Sequence, residues 1–256
     1  MPSERPVKDL TRRKIVFVIV EGPTDETALG VLLNRICNRN TVHVEIMHGD
    51  ITNVTTTKSR NMEKIIREVW KNYADSYHFR PSDFKEIVHI IDMDGAFIPD
   101  ENIVTDSTKK HIFYTDEQIL CRNRDNIIYR NHKKQKAVNE ICHLSRIGKI
   151  PYSAYFMSCN LDHVISNRIN IGETAKEAGA HAFVKRYRKD LAGFVDFMTK
   201  TDFVENCDDY VSSWNFIRKG TRSLERHTNL GICIRRFIRE NGQESLCHSR
   251  EKKRKH

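Results

Sequence analysis

The sequence predicts an α/β fold, a compact parallel sheet flanked by helices with a helical appendage toward the C-terminus. Three observations carry that expectation. The runs IVFVIV at 15–20 and EIVHII at 86–91 are short, continuous and apolar, as suits strands buried on both faces. Segments of helical period separate these strands, and strand–helix alternation builds parallel sheets. From about residue 174 the pattern turns helical throughout.

Taken in order, residues 15–20 form the first strand. Thr24 is expected to cap a helix with Ala28, Leu29, Val31, Leu32 and Ile36 as its apolar positions, ending near 38–40. VHVEIM at 42–47 alternates like a second strand and is followed by His48-Gly49-Asp50. Residues 60–73 set Met62, Ile65, Ile66, Val69 and Tyr73 on one helical face. The third strand, 86–91, runs into Asp92-Met93-Asp94-Gly95. Right-handed crossovers bring the ends of the first and third strands to the same sheet edge. Residues 96–149 are less regular and basic, and a helix is expected over about 134–144. YSAYFMSC at 152–159 is a further strand, and a helix starts at Asn160-Leu161-Asp162-His163. Helices follow over 177–199, 208–218 and 222–239. The expected organisation is an α/β domain over 14–170, a helical appendage over 171–249 and a basic tail over 250–256.

The chain of 256 residues is 39% hydrophobic, enough for a proper core. No apolar run approaches the ~20 residues of a membrane span. The first residues, MPSERPVKDLTRRK, lack the apolar core of a secretory signal, so a cytoplasmic location is expected. Seven scattered cysteines, an odd count without a CxxC pair, point to free thiols in a reducing compartment. Net charge is +9, much of it in Arg12-Arg13-Lys14 and in the tail from Arg250 to His256. Such runs are either solvated termini or attractors for a polyanion, most often nucleic acid.

Chemistry gathers at the strand ends. Glu21 ends one strand, Asp25 opens the following helix, and Asp92 and Asp94 end another strand, where residues two apart share a face. Carboxylates this close repel, so either one takes up a proton or a cation intervenes. Oxygen ligands of this kind suit Mg²⁺ or Mn²⁺. Either group alone is better explained as decoration of a helix start. Two such groups, each after a buried strand and about 70 residues apart, make a stronger signal. Two metal ions held ~3.5–4 Å apart can activate water and stabilise the leaving oxygen of a phosphodiester. A basic residue must also neutralise the phosphate, and Lys109, Lys110, Arg122, Arg124 and Lys134 are the candidates.

VFVIVEGPTDE followed by VHIIDMDG resembles the Toprim domain of topoisomerases, bacterial primases, recombination proteins and small nucleases, over roughly residues 14–170. Its signature is a strand-end Glu in an EG-x-x-D context and a strand-end DxD, here Glu21, Gly22 and Asp25, then Asp92 and Asp94. The resemblance implies a compact parallel sheet with the acids at one edge. It implies Glu21, Asp92 and Asp94 as catalytic residues, with Glu21 a ligand or general acid/base. Asn160-Leu161-Asp162-His163 is similar to a third motif of overcoming-lysogenization-type nucleases, with Asp162 where Glu is usual. Asp162 then joins Glu21, Asp25, Asp92 and Asp94 as a metal-site residue. No G-x-x-x-x-G-K-[ST] occurs, so no ATPase is fused within this chain. The resemblance therefore implies a stand-alone, Mg²⁺-dependent endonuclease acting on RNA, tRNA included, or DNA. By the same analogy it is a toxic effector of an anti-phage system, held silent by a separate ATPase partner, and a homo-oligomer is allowed. A non-catalytic nucleic-acid-binding scaffold and a primase-like nucleotidyl transferase stay open beside it.

Overall fold

A computed structural model describes residues 14–37, 42–48, 61–204 and 209–248; Arg12, Arg13, Gly49, Asp50, Cys207 and the tail 250–256 lie outside these ranges. The chain opens on strand β1 (Lys14–Val20), buried from its second residue onward. Helix α1 (Pro23–Ile36) follows after only two residues. Gly22, rather than Thr24, is its N-cap, Pro23 takes the first helical position, and the Asp25 carboxylate accepts the Gly22 N–H at 2.9 Å. The helix ends at Ile36, slightly before the expected stop. Strand β2 (Val42–His48) and helix α2 (Met62–Ser76) come next, the latter capped by the Asn61 side chain. Strand β3 spans Phe84–Asp92.

The irregular stretch forms a small three-stranded sheet from β4 (Ile103–Thr105), β5 (Phe113–Tyr114) and β6 (Ile119–Cys121), in the order β4-β6-β5. Helix α3 covers Arg124–Ile141, starting ten residues earlier than its hydrophobic pattern indicates. Asn123 caps it, and polar residues, Asn131 and Lys134, fill buried positions about its middle, so apolar periodicity did not reveal the turns before them. Then come β7 (Arg146–Ile147), β8 (Ile150–Ser158), α4 (Leu161–Ser166), α5 (Glu173–Tyr187) and α6 (Leu191–Lys200). The single helix expected over 177–199 is therefore two, because Asp190 caps a second one by accepting the Gly193 N–H at 2.9 Å. Finally come α7 (Tyr210–Ile217), β9 (His227–Thr228), α8 (Leu230–Glu240) and α9 (Ser245–His248).

The main sheet runs β2-β1-β3-β8-β7, with β9 also paired to β8. β2, β1, β3 and β8 are mutually parallel, while β7 and β9 lie antiparallel to β8, so the sheet is mixed but mostly parallel. Strand alternation divides the core into two layers. Val16, Val18, Val20, Val88 and Ile90 meet α1, α4, α5, α6 and α8 on one face. Ile15, Phe17, Ile19, Ile87 and Ile91 meet α2, α3 and α7 on the other. The segment after residue 170 packs on the sheet. It supplies β9 to the sheet and side chains to both layers, Leu230, Ile234 and Phe237 to one and Trp214 and Ile217 to the other. Among the described residues no helix is long and apolar enough to cross a membrane. The described cysteines, 37, 121, 142, 159, 233 and 247, are all free thiols.

Candidate functional site

The parallel strands β1 and β3 are neighbours, so their carboxyl ends open at one edge. Glu21 leaves β1 there, and its Oε1 accepts the backbone N–H of Asp92 at 3.2 Å, tying the two strand ends together across 71 residues of chain. Asp92 Oδ1 accepts the Leu161 N–H at 3.0 Å, which joins the third segment, at the start of α4. Asp94 sits in the left-handed region with φ of +49°, a conformation uncommon for a residue with a Cβ. The turn is held from several sides. The Asp94 N–H donates to the Cys159 carbonyl at 2.7 Å and the Gly95 N–H to the Ser223 carbonyl at 2.9 Å. From α3, Arg130 donates to the Asp94 carbonyl at 2.8 Å, Asn131 to the Gly95 carbonyl at 3.1 Å and Gln135 to the Ala96 carbonyl at 2.7 Å.

Lys134 is the charged centre of this arrangement. Its side chain is 1% exposed, and its ammonium stands 2.7 Å from Asp94 Oδ2 and 3.3 Å from Glu21 Oε1. Burial pushes its pKa down, but Asp94 and then Glu21 outweigh that and hold it protonated. Asp94 shows the converse: burial pushes it up, but Lys134 and Arg130 hold it below the usual carboxylate range. The other acids are not so served. Burial, then the charges of Asp25, Glu21 and Asp94, drive Asp92 well above its ordinary value. Burial raises Asp25 to about 6, with Asp162 and Asp94 adding to the rise, against the Gly22 hydrogen bond and Lys176. Burial also raises Asp162, which is 8% exposed and makes no hydrogen bond through its carboxylate among the described residues. Asn160, not Asp162, caps α4 by accepting the His163 N–H at 3.0 Å. His163 in turn accepts the Cys159 N–H at 3.2 Å through Nδ1, and burial lowers its pKa to about 4, so it is a neutral structural residue at neutral pH.

Glu21, Asp25, Asp92, Asp94 and Asp162 thus feel one another at one sheet edge, and Lys134, Arg130 and Lys176 are the cations that offset them. Five carboxyl groups stand against three cations, and those that burial and mutual repulsion push up, Asp92 above all, take up a proton unless a divalent cation supplies the missing positive charge. The donors are all hard oxygens, the chemistry Mg²⁺ and Mn²⁺ prefer. By donor type and charge the residues fit such an ion. They do not form a finished cage: among the described residues no three His, Cys, Asp or Glu side chains converge as a ready ligand set. Lys134 lies between Glu21 and Asp94, while Asp25 and Asp92 each accept a backbone N–H.

The basic candidates are not brought together. Only Lys134 reaches the acids, and its burial in ion pairs makes it a partner of the carboxylates rather than a surface contact for phosphate. Arg124 is spent on backbone, donating to the Ile103 and Asp100 carbonyls at 2.8 and 2.7 Å. Lys109, Lys110 and Arg122 line a separate hollow of about 530 Å³ beside the small sheet, with Lys109 over the Phe113 ring and Arg122 donating to the Lys109 carbonyl. Sequence reasoning did not select Arg130, Lys176 and Tyr114. Arg130 stands four residues before Lys134, hence on the same helical face, and a correct start for α3 exposes that pairing. Lys176 comes from α5, and no local pattern marks it. Compared with known proteins, the chain matches no protein-family model, no curated protein and no solved structure.

Proposed function

We propose that the protein is a metal-dependent phosphodiester hydrolase of the Toprim type that cuts nucleic acid, RNA or DNA. The observation that carries this reading is the cluster of carboxyl groups from β1, α1, the β3 turn and α4 at the carboxyl edge of a parallel sheet, where burial and mutual repulsion drive Asp92 well above its ordinary pKa. Glu21, Asp25, Asp92, Asp94 and Asp162 would hold one or two Mg²⁺ or Mn²⁺ ions, and bound metal supplies an activated water and a counter-charge for the leaving oxygen. The chain's own residues define the rest. Glu21, 12% exposed and hydrogen-bonded to the end of β3, is placed to hold or move a proton. Lys134 and Arg130 fix Asp94 in position and keep it ionised. By family analogy the enzyme is an effector of anti-phage defence kept silent by a separate ATPase.

One observation favours a second reading. Lys134 already acts as a cation between Glu21 and Asp94, as in a non-catalytic scaffold that grips nucleic acid without cutting it. Incubating labelled single- and double-stranded RNA and DNA with the protein and Mg²⁺ or Mn²⁺ separates the two. The hydrolase shows cleavage that EDTA stops and that Glu21→Gln and Asp92→Asn each lower by at least ~10², with both variants folded. Folded variants that cleave like wild type, or a wild type that never cleaves, would leave the scaffold.

A further inference from the structure

Beside the carboxylates lies a recess of about 170 Å³ lined by Tyr114, Asn160, Asp162, Arg168, Asn170 and Lys176, among others. It is smaller than the ~300–1,000 Å³ of sites that enclose whole small molecules, so it suits one compact group. Its walls are fixed. Asn170 donates to the Tyr114 carbonyl at 2.7 Å and accepts the Tyr114 N–H at 2.8 Å, tying the loop after α4 to β5. The Tyr114 hydroxyl accepts from Arg130 at 2.9 Å, the residue that also holds the Asp94 carbonyl. Asn160 uses Oδ1 to cap α4, which leaves its NH₂ as a donor.

The recess has cationic walls in excess of its acid. Arg168 is exposed and has no hydrogen-bond or ion-pair partner among the described residues. Lys176 pairs at 3.1 Å with Glu173, whose side chain is 81% exposed and therefore a weak competitor for the ammonium. Against these stands Asp162, and Lys176 is shared, because it also offsets the carboxylate cluster to which Asp162 belongs. An anion seated here contacts a guanidinium, an ammonium and an amide donor while adjoining the acids.

We propose that this recess binds one phosphate group of a nucleic-acid strand, next to the bond presented to the carboxylates, with Arg168 and Lys176 as its cationic contacts. The proposal deepens the hydrolase reading and rests on it for the bond cut, but phosphate capture itself needs neither metal nor chemistry. Arg168 is exposed and makes no hydrogen bond or ion pair among the described residues, so its replacement is expected to leave the fold intact.

The test measures binding of a short fluorescent single-stranded oligonucleotide in EDTA, with inorganic phosphate as competitor. Arg168→Ala and Lys176→Gln are expected to weaken binding about tenfold each and to lower the salt slope by about 0.7, the loss of one phosphate contact on a single strand. Lys71→Ala, on the opposite face of the sheet, serves as the control and stays at the wild-type value. Variants that bind within about twofold of wild type, or a wild type that binds no oligonucleotide, overturn the proposal. Running the cleavage assay on the same proteins separates the two ideas. Weakened binding by Arg168→Ala without cleavage by wild type upholds the recess and sinks the hydrolase. Cleavage with unchanged binding by Arg168→Ala does the reverse.

Discussion

At the scale of single residues, the site is a contest between burial and charge. Lys134 stabilises Asp94 and Glu21 only because all three are held together; such a buried pair, broken on one side, costs ~3–5 kcal/mol. Asp25 has no comparable partner, and its pKa of about 6, against 3.8 for the ordinary carboxyl, sets a sign that can be checked. A group whose folded pKa is raised binds a proton more tightly in the folded state. Its contribution is therefore fully present below pH 3.8 and lost as pH rises through about 6. Asp25→Asn retains an oxygen for the Gly22 N–H but cannot ionise. In EDTA the variant is expected to match wild type near pH 4 and to exceed it by about 1–3 kcal/mol at pH 8, read from urea unfolding at each pH. A wild type that gains on the variant as pH rises contradicts this. The carboxylates themselves were legible in the sequence, because each stands directly after a buried strand or opens the next helix. The cations were not, since nothing in a basic stretch distinguishes Lys134, which turns inward, from Lys109, which lies over a phenyl ring.

At the scale of elements, α3 is the part that makes the site rigid. Arg130, Asn131 and Gln135 bind three successive carbonyls of the turn after β3, and Lys134 binds its carboxylate. The turn also needs Gly95, whose φ is +68° and where a Cβ would stand 2.5 Å from Leu224 Cδ2. Gly95→Ala is expected to lower stability by about 2 kcal/mol or more, from backbone strain and overpacking together, and to cut divalent-dependent cleavage. Thermal unfolding and initial rates read both, and an alanine variant with wild-type values contradicts the tight-turn assignment. This helix was only half legible. Its last two turns carry Ala137, Val138 and Ile141 at core positions, whereas the turns before them bury the polar Asn131 and Lys134, which serve the site, and apolar periodicity is blind to those. Strands β1, β3 and β8 read cleanly because they are apolar runs buried in the sheet, whereas β4 to β7 and β9 are only two or three residues long and carry no such run.

At the scale of the whole molecule, the C-terminal third is structural. β9 pairs with β8, Thr228 donates to the Phe156 carbonyl at 2.8 Å, and Leu230, Cys233, Ile234 and Phe237 cover the same layer as α1. Losing the burial of side chains such as these removes ~1.5–3 kcal/mol each, in sum comparable to typical domain stability. A fragment of residues 14–170 is therefore expected to be unfolded or aggregated by circular dichroism and gel filtration, and a fragment that unfolds cooperatively would show that the segment after 170 is separable. The alternation of strands and helices made the parallel arrangement legible, but the helical period after 174 says nothing of which face those helices cover or that a two-residue strand joins the sheet. The fold brings acids from distant segments to one edge, and the most direct measurement of whether they hold an ion is the melting temperature as Mg²⁺ or Mn²⁺ is added. Wild type is expected to rise, gaining about 2.7 kcal/mol at 100 times the dissociation constant, while Asp92→Asn stays level. A wild-type curve that is flat, or a variant that rises equally, means that these carboxylates hold no ion.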